Sequence, residues 1–121
     1  VLRAFRDCGR WNDRARRGAE WLRAVQNSDG GWGGDRGTPS TVEETALALD
    51  ALLDEVQDAA DPVWRGVEWL LSRVEDWTWV DPSPIGFYFA KLWYFEAIYP
   101  RVWTVAALRK ARKQFALLDL P

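Results

Sequence analysis

Three groups of side chains stand out as candidates for chemistry. The first is a carboxylate pair, Glu43-Glu44, directly ahead of Thr45-Ala46. The second is an aromatic series, Phe87, Tyr88, Phe89, Trp93, Tyr94, Phe95 and Tyr99, whose π faces suit an apolar or cationic ligand. The third is the basic run Arg109-Lys110-Ala111-Arg112-Lys113. Its charge favours a helix C-terminus by default and an anionic lipid surface as the functional alternative.

Composition removes several other chemistries. With a single Cys and no His, neither a disulfide framework nor a zinc site is expected, and no metal or cofactor is implied. A formal net charge of −2 carries no nucleic-acid footprint. The longest strongly apolar stretch, residues 84–98, contains Lys91 and Glu96 and is too short to span a bilayer. Nine Trp residues in 121 point to helix–helix packing, to an aromatic-lined cavity, or to both. The chain contains no Met, and residues 1–8 look like the last turns of a helix cut upstream, so it reads as a fragment.

These groups sit on a helical pattern that repeats. Arg17-Gly18-Ala19-Glu20-Trp21-Leu22 recurs 48 residues later as Arg65-Gly66-Val67-Glu68-Trp69-Leu70, which suits a repeated helical hairpin whose units bury their faces against one another. The first helix is expected over 13–26, capped by Asn12 or Asp13, with Ala15, Ala19, Leu22 and Val25 on its apolar face. The turn Asn27-Ser28-Asp29-Gly30-Gly31 ends it.

Ser40-Thr41-Val42-Glu43 reads as a capping box opening a helix with the stripe Val42, Ala46, Leu49, Leu53 and Val56. Asp61-Pro62 opens the next, with Val63, Val67, Leu70 and Val74 inward. Residues 85–99 are apolar almost all round, the mark of an enclosed helix, and Pro100 separates them from a basic helix over 101–118. No segment has strand periodicity, so the expected class is all-α.

The spacing Arg17-Gly18-x-x-Trp21-Leu22-x-x-x-Gln26-x-x-x-Gly30-x-Trp32 resembles the QW repeat of the squalene–hopene and oxidosqualene cyclases, which are class II terpene cyclases. Thr38-Pro39-Ser40 through Glu44-Thr45-Ala46-Leu47-Ala48-Leu49, and an aromatic segment from Gly86 to Tyr94, match the order of elements near that family's C-terminus. The resemblance covers nearly the whole chain. It implies one partial domain, residues 1–121: antiparallel helical hairpins forming part of an α/α toroid of the terpenoid cyclase/prenyltransferase type. Repeat units fall at about 14–39 and 62–82, the terminal aromatic helix at about 85–99 and the basic helix at about 101–118.

On this resemblance Arg17, Gly18, Trp21, Gln26, Gly30, Trp32 and Trp69 form a structural clamp, with the Gln amide bonding backbone at helix ends and stacking on Trp. Phe87 and Tyr94, seven residues apart on one helical face, line the substrate cavity, although a plain core role for them has equal standing. The Asp-rich DxDD acid that starts class II cyclisation is not in this chain. Glu44 is a weak candidate for that acid: Glu is intrinsically weaker than Asp, and a helix cap accounts for the pair more simply.

Three departures from the family pattern stand out: Val74 replaces the second Gln, Lys91 lies between Phe87 and Tyr94, and Ser83 stands where an aromatic is expected. The implied partners are a linear polyprenyl substrate such as squalene and the rest of the same barrel upstream. Peripheral or monotopic membrane contact from a cytoplasmic location is also in view. The fragment alone is not expected to be an enzyme. The alternative is a non-catalytic α/α-repeat module that binds a lipid or protein.

Overall fold

The computed structural model describes residues 1–58, 61–86 and 92–117. Five helices dominate: α1 Leu2–Asp7, α2 Asp13–Ala24, α3 Val42–Leu52, α4 Val63–Glu75 and α5 Ile98–Leu117, with short 3-10 turns at Leu53–Glu55 and Thr78–Val80. Helix α3 is central. It packs against α4 and α5 and also touches α1 and α2. The expected stripe Val42, Ala46, Leu49, Leu53 and Val56 is buried throughout, because its spacing of three and four holds one face inward.

Helix α2 begins as its sequence predicts. The Asn12 side chain accepts from the N–H groups of Arg14 and Ala15, and Ala15, Ala19 and Val25 are buried with Leu22 packed beside them. The Asp61 carboxylate accepts from the Val63 N–H at the start of α4, where Val63, Val67 and Leu70 are buried. Helix α5 lies close to α3 because its buried face is small, with Thr104, Ala107 and Ala111 inward; Phe115 then packs on Trp64 with ring centroids 4.0 Å apart.

Ion pairs fasten the short α1 to this core. Arg3 meets Asp50 at 3.0 Å, while Arg6 reaches Asp54 at 2.7 Å and Glu55 at 3.0 Å. Lys110 of α5 joins the same group through Asp54 at 2.7 Å. One member of the basic run therefore faces inward, whereas Arg109, Arg112 and Lys113 are exposed.

Three expectations need correction. Among the described residues of 85–99 the expected aromatic helix gives way to a ribbon: β1 Ile85–Gly86 pairs antiparallel with β2 Trp93–Tyr94, in register Ile85↔Tyr94 and Gly86↔Trp93. Pro82 and Pro84 bias the residues before them toward extended backbone, and aromatic residues suit a pleated ribbon. The Trp93 ring lies across Gly86, 3.0 Å from where a Cβ would stand. Nor is the run enclosed, since Leu92, Trp93 and Phe95 are exposed.

Second, Pro100 does not separate two helices but sits buried in the first turn of α5, where a missing N–H costs no intrahelical bond. Third, the cap of α3 lies one residue later than the capping box predicts. Thr41 accepts from the Glu44 N–H at 3.2 Å, and Ser40 donates to Asp29 instead.

Candidate functional site

Four of the seven predicted clamp residues, Gln26, Gly30, Trp32 and Trp69, meet at the turn after α2, together with several residues that the sequence did not single out. Gly30 adopts φ +96°, a conformation that favours glycine, and any Cβ there would lie 2.7 Å from the Arg65 carbonyl oxygen. The turn therefore presses directly onto α4. Gln26 Nε2 donates to the carbonyls of Gly30 at 2.8 Å and Pro62 at 3.0 Å, while Arg65 donates to Gln26 Oε1 at 3.3 Å. One amide thus closes its own turn and grips the first turn of the next repeat copy.

Trp32 is 2% exposed. Its indole N–H donates to the Leu22 carbonyl at 2.8 Å, and its backbone N–H donates to Thr45 Oγ1 at 2.9 Å. The ring comes within 2.4 Å of the place a Cβ would take at Gly66. Only glycine leaves room for that approach, which explains the Gly of the second hexapeptide copy. Trp69 donates through Nε1 to Asp29 at 3.1 Å. Arg17, Gly18 and Trp21, the matching residues of the first copy, are not brought to this junction; Trp21 is 51% exposed.

Asp29, Arg23, Asp61 and Thr45 belong to the junction although none was expected to act in it. Arg23 Nη1 reaches both carboxylate oxygens of Asp61, at 2.6 and 2.8 Å, so this acid caps α4 and holds α2 at once. Nothing local in the sequence pairs residues 38 positions apart, although Asp61 was legible as a cap. Burial would raise the Asp29 pKa, but donors from Ser40, Gly31 and Trp69 outweigh it and hold the carboxyl below its ordinary value.

A carboxyl with a depressed folded pKa stabilises the fold above its unfolded value, and that stability is lost as pH falls through the folded value. The expected result is a wild-type denaturation midpoint that declines as pH falls through and below the ordinary carboxylate range. In Asp29→Asn that decline is smaller. Equal slopes in the two proteins would remove Asp29 as a cause.

Beside the junction lies a largely apolar cavity of about 810 Å3, bordered by α1, α2, α3 and α5. Glu44 and Trp21 line it. Burial raises the Glu44 pKa above its ordinary value; its own backbone N–H opposes the shift and the neighbouring Glu43 adds to it. Glu44 Oε2 is buried without a hydrogen-bond partner among the described residues. This carboxyl favours its neutral form more than a surface Glu does, but among the described residues nothing hydrogen-bonds its Oε2 to relay a proton.

Glu43, by contrast, is 4% exposed and fully engaged. Its two oxygens accept from the Ser83 N–H and Oγ–H, each at 2.7 Å. Ser83, the apparent departure from an aromatic position, is thus the residue that anchors the base of the hairpin to α3. Tyr94 is half-buried in β2, so a shared helical face with Phe87 does not hold for it. Phe87 and Lys91 themselves lie outside the described residues.

The second turn departs from the first, in keeping with Val74 at the Gln position. Trp77 takes φ +60° without being glycine and is 76% exposed, while the Arg73 guanidinium lies 5.0 Å from the Trp69 ring. Among the described residues no cluster of His, Cys, Asp and Glu could hold a metal.

Comparison with known proteins fits this architecture. A squalene–hopene cyclase of Bradyrhizobium diazoefficiens is 32% identical over 114 residues, covering 80% of this chain and 17% of that enzyme. The squalene–hopene cyclase of Zymomonas mobilis is 28% identical over 109 residues, covering 77% of this chain and 17% of that enzyme. A terpene cyclase–glycosyl transferase fusion protein of Humicola fuscoatra is 44% identical over 71 residues, 49% of this chain and 5% of the fusion. The chain therefore spans 17% of the length of the two squalene–hopene cyclases. No solved structure matches it significantly. The family profile described as the squalene-hopene cyclase C-terminal domain matches residues 1–113, and the chain belongs to that family.

Proposed function

We propose that this chain is the C-terminal part of a polyprenyl cyclase of the squalene–hopene kind, forming an arc of an α/α toroid around a hydrocarbon cavity. The observation that carries this reading is the junction itself: Gln26, Asp29 and Trp32 of one repeat copy all engage α4 of the next. Such a junction braces consecutive hairpins, as a QW clamp would, while the family match supplies the chemistry. The partners are a linear polyprenyl substrate such as squalene and the remaining repeats of the same barrel.

In this reading the aromatic hairpin, with Tyr94 and the Phe87 position, forms cavity wall. Ring faces suit migrating carbocations because they stabilise charge without offering a nucleophile. Initiation falls to a DxDD acid outside these residues, and Glu44 is the weaker in-chain candidate. No helix among the described residues is long and apolar enough to cross a membrane. Exposed Arg109, Arg112 and Lys113 beside exposed Val102 and Val105 suit peripheral contact with anionic lipid from the cytoplasm.

The test uses the longer polypeptide that includes residues 1–121, incubated with squalene and analysed for cyclic products. Conversion is expected, and Tyr94→Ala should redistribute products toward incompletely cyclised ones while the melting temperature stays close to wild type. Squalene binding without conversion would favour the non-catalytic module. The degenerate second turn around Val74 and Trp77 is the observation that supports that alternative.

A further inference from the structure

The two acids in the first turn of α3 have different partners. Glu44 lines the cavity, while Glu43 meets the segment that enters β1. A carboxylate that is 4% exposed needs its oxygens matched by donors, and here one residue supplies both. Ser83 stands between Pro82 and Pro84, so it holds the only backbone N–H in that run. Its N–H and its Oγ–H both go to Glu43, each at 2.7 Å. Every hydrogen-bond donor of residues 82–84 is thus committed to one side chain of α3.

The run is also stiff. Each proline fixes its φ near about −65°. Asp81 and Ser83 each precede a proline, which holds them toward extended backbone, and Asp81 has φ −77° and ψ 114°. Two residues beyond Ser83, Ile85 stands directly opposite Tyr94 across the ribbon. The Trp93 ring lies over Gly86 on the next rung and opposes a slip of register. The far foot of the hairpin runs into α5, which packs on α3; the near foot is held by Glu43. A displacement at Ser83 therefore passes along a rigid path to the Tyr94 ring.

We propose that Glu43 and Ser83 are positioning residues that decide how far cyclisation runs, by setting where the Tyr94 ring stands against the migrating cation. This rests on the reading of the chain as part of a cyclase with Tyr94 in the cavity wall. In this role neither residue touches substrate. A ring face holds a cation only within about 6 Å, so a shifted hairpin weakens the stage at which the cation passes Tyr94 and leaves substrate binding intact. A cation without that partner loses a proton from the adjacent carbon to water. The C–H electron pair becomes the double bond of an incompletely cyclised product.

The test uses the longer polypeptide that includes residues 1–121, incubated with squalene and analysed for all products. Two variants loosen the contact: Ser83→Ala, and Glu43→Asp, which draws the carboxylate back by one methylene. In each, the ratio of fully to incompletely cyclised product should fall about 2- to 30-fold, the worth of one ring–cation contact, with KM near wild type. Ser83→Thr keeps both donors and should keep the wild-type ratio. Asn12→Ala removes the α2 cap and destabilises the fold by a comparable amount without moving the ratio. An unchanged ratio in either loosening variant overturns the assignment, as does an equal shift in Ser83→Thr or Asn12→Ala. Melting temperatures identify a variant that has not folded; if that is Glu43→Asp, Ser83→Ala decides alone. A wild-type polypeptide that converts no squalene overturns the cyclase reading, and the assignment falls with it. Conversion with an unmoved ratio overturns the assignment alone.

Discussion

Replacing Trp32 by alanine should cost about 3–5 kcal/mol of unfolding free energy, the range for deleting a large aromatic from a packed interior. The ring is wedged over Gly66 with Leu49 beside it, so the backbone around it is held at a distance only an indole fills. The loss of the indole bond leaves the Leu22 carbonyl with only the longer bond from the Val25 N–H, at 3.3 Å. Trp32→Phe separates these effects, since it keeps a ring but no N–H donor, and should fall between wild type and Trp32→Ala. Urea titration of the three proteins measures the differences, with an unchanged slope indicating that the native fold persists. A loss below about 1 kcal/mol for Trp32→Ala, the average for any substitution, would mean that the ring does not hold the repeats together.

The second large effect is expected at Glu43. Each hydrogen bond to a charged group contributes about 1.5–3 kcal/mol, and Glu43→Ala removes two while stranding the Ser83 N–H. The expected cost is about 3 kcal/mol or more. Ser83→Ala removes only the hydroxyl bond and should cost roughly half as much. The pair should be strongly non-additive in a double-mutant cycle, because after either change the other partner has less to lose. Amide hydrogen exchange gives the structural readout: protection at residues 85–86 and 93–94 should fall in Glu43→Ala, while α2 and α4 keep theirs. Unchanged exchange in the hairpin would show that the Glu43–Ser83 contact does not anchor it.

Helices α2, α3 and α4 were legible because each carries an uninterrupted apolar stripe and a chemically recognisable start at Asn12, Ser40-Thr41 and Asp61. The junction was half legible. Gln26, Gly30, Trp32 and Trp69 could be named from spacing, and Gly66 from the repeat. The contacts of Asp29, Arg23 and Glu43 could not, because a polar side chain whose partner lies 38 to 40 residues away leaves no periodic trace.

The hairpin was misread for a physical reason. A run that is apolar on every side fits an enclosed helix and a pair of short strands equally by hydrophobicity. The deciding signal was backbone chemistry, Pro82 and Pro84 just ahead of it. The same rule was misapplied at Pro100, where a proline in a first turn starts a helix as readily as it ends one.

Asp61 has a consequence for how such a chain can change length. One carboxylate receives Arg23 from α2 and also caps α4, so no cut between these two helices leaves both with their proper ends. Gene rearrangements that insert or delete part of a unit would strand a buried turn on one side or an uncapped helix on the other.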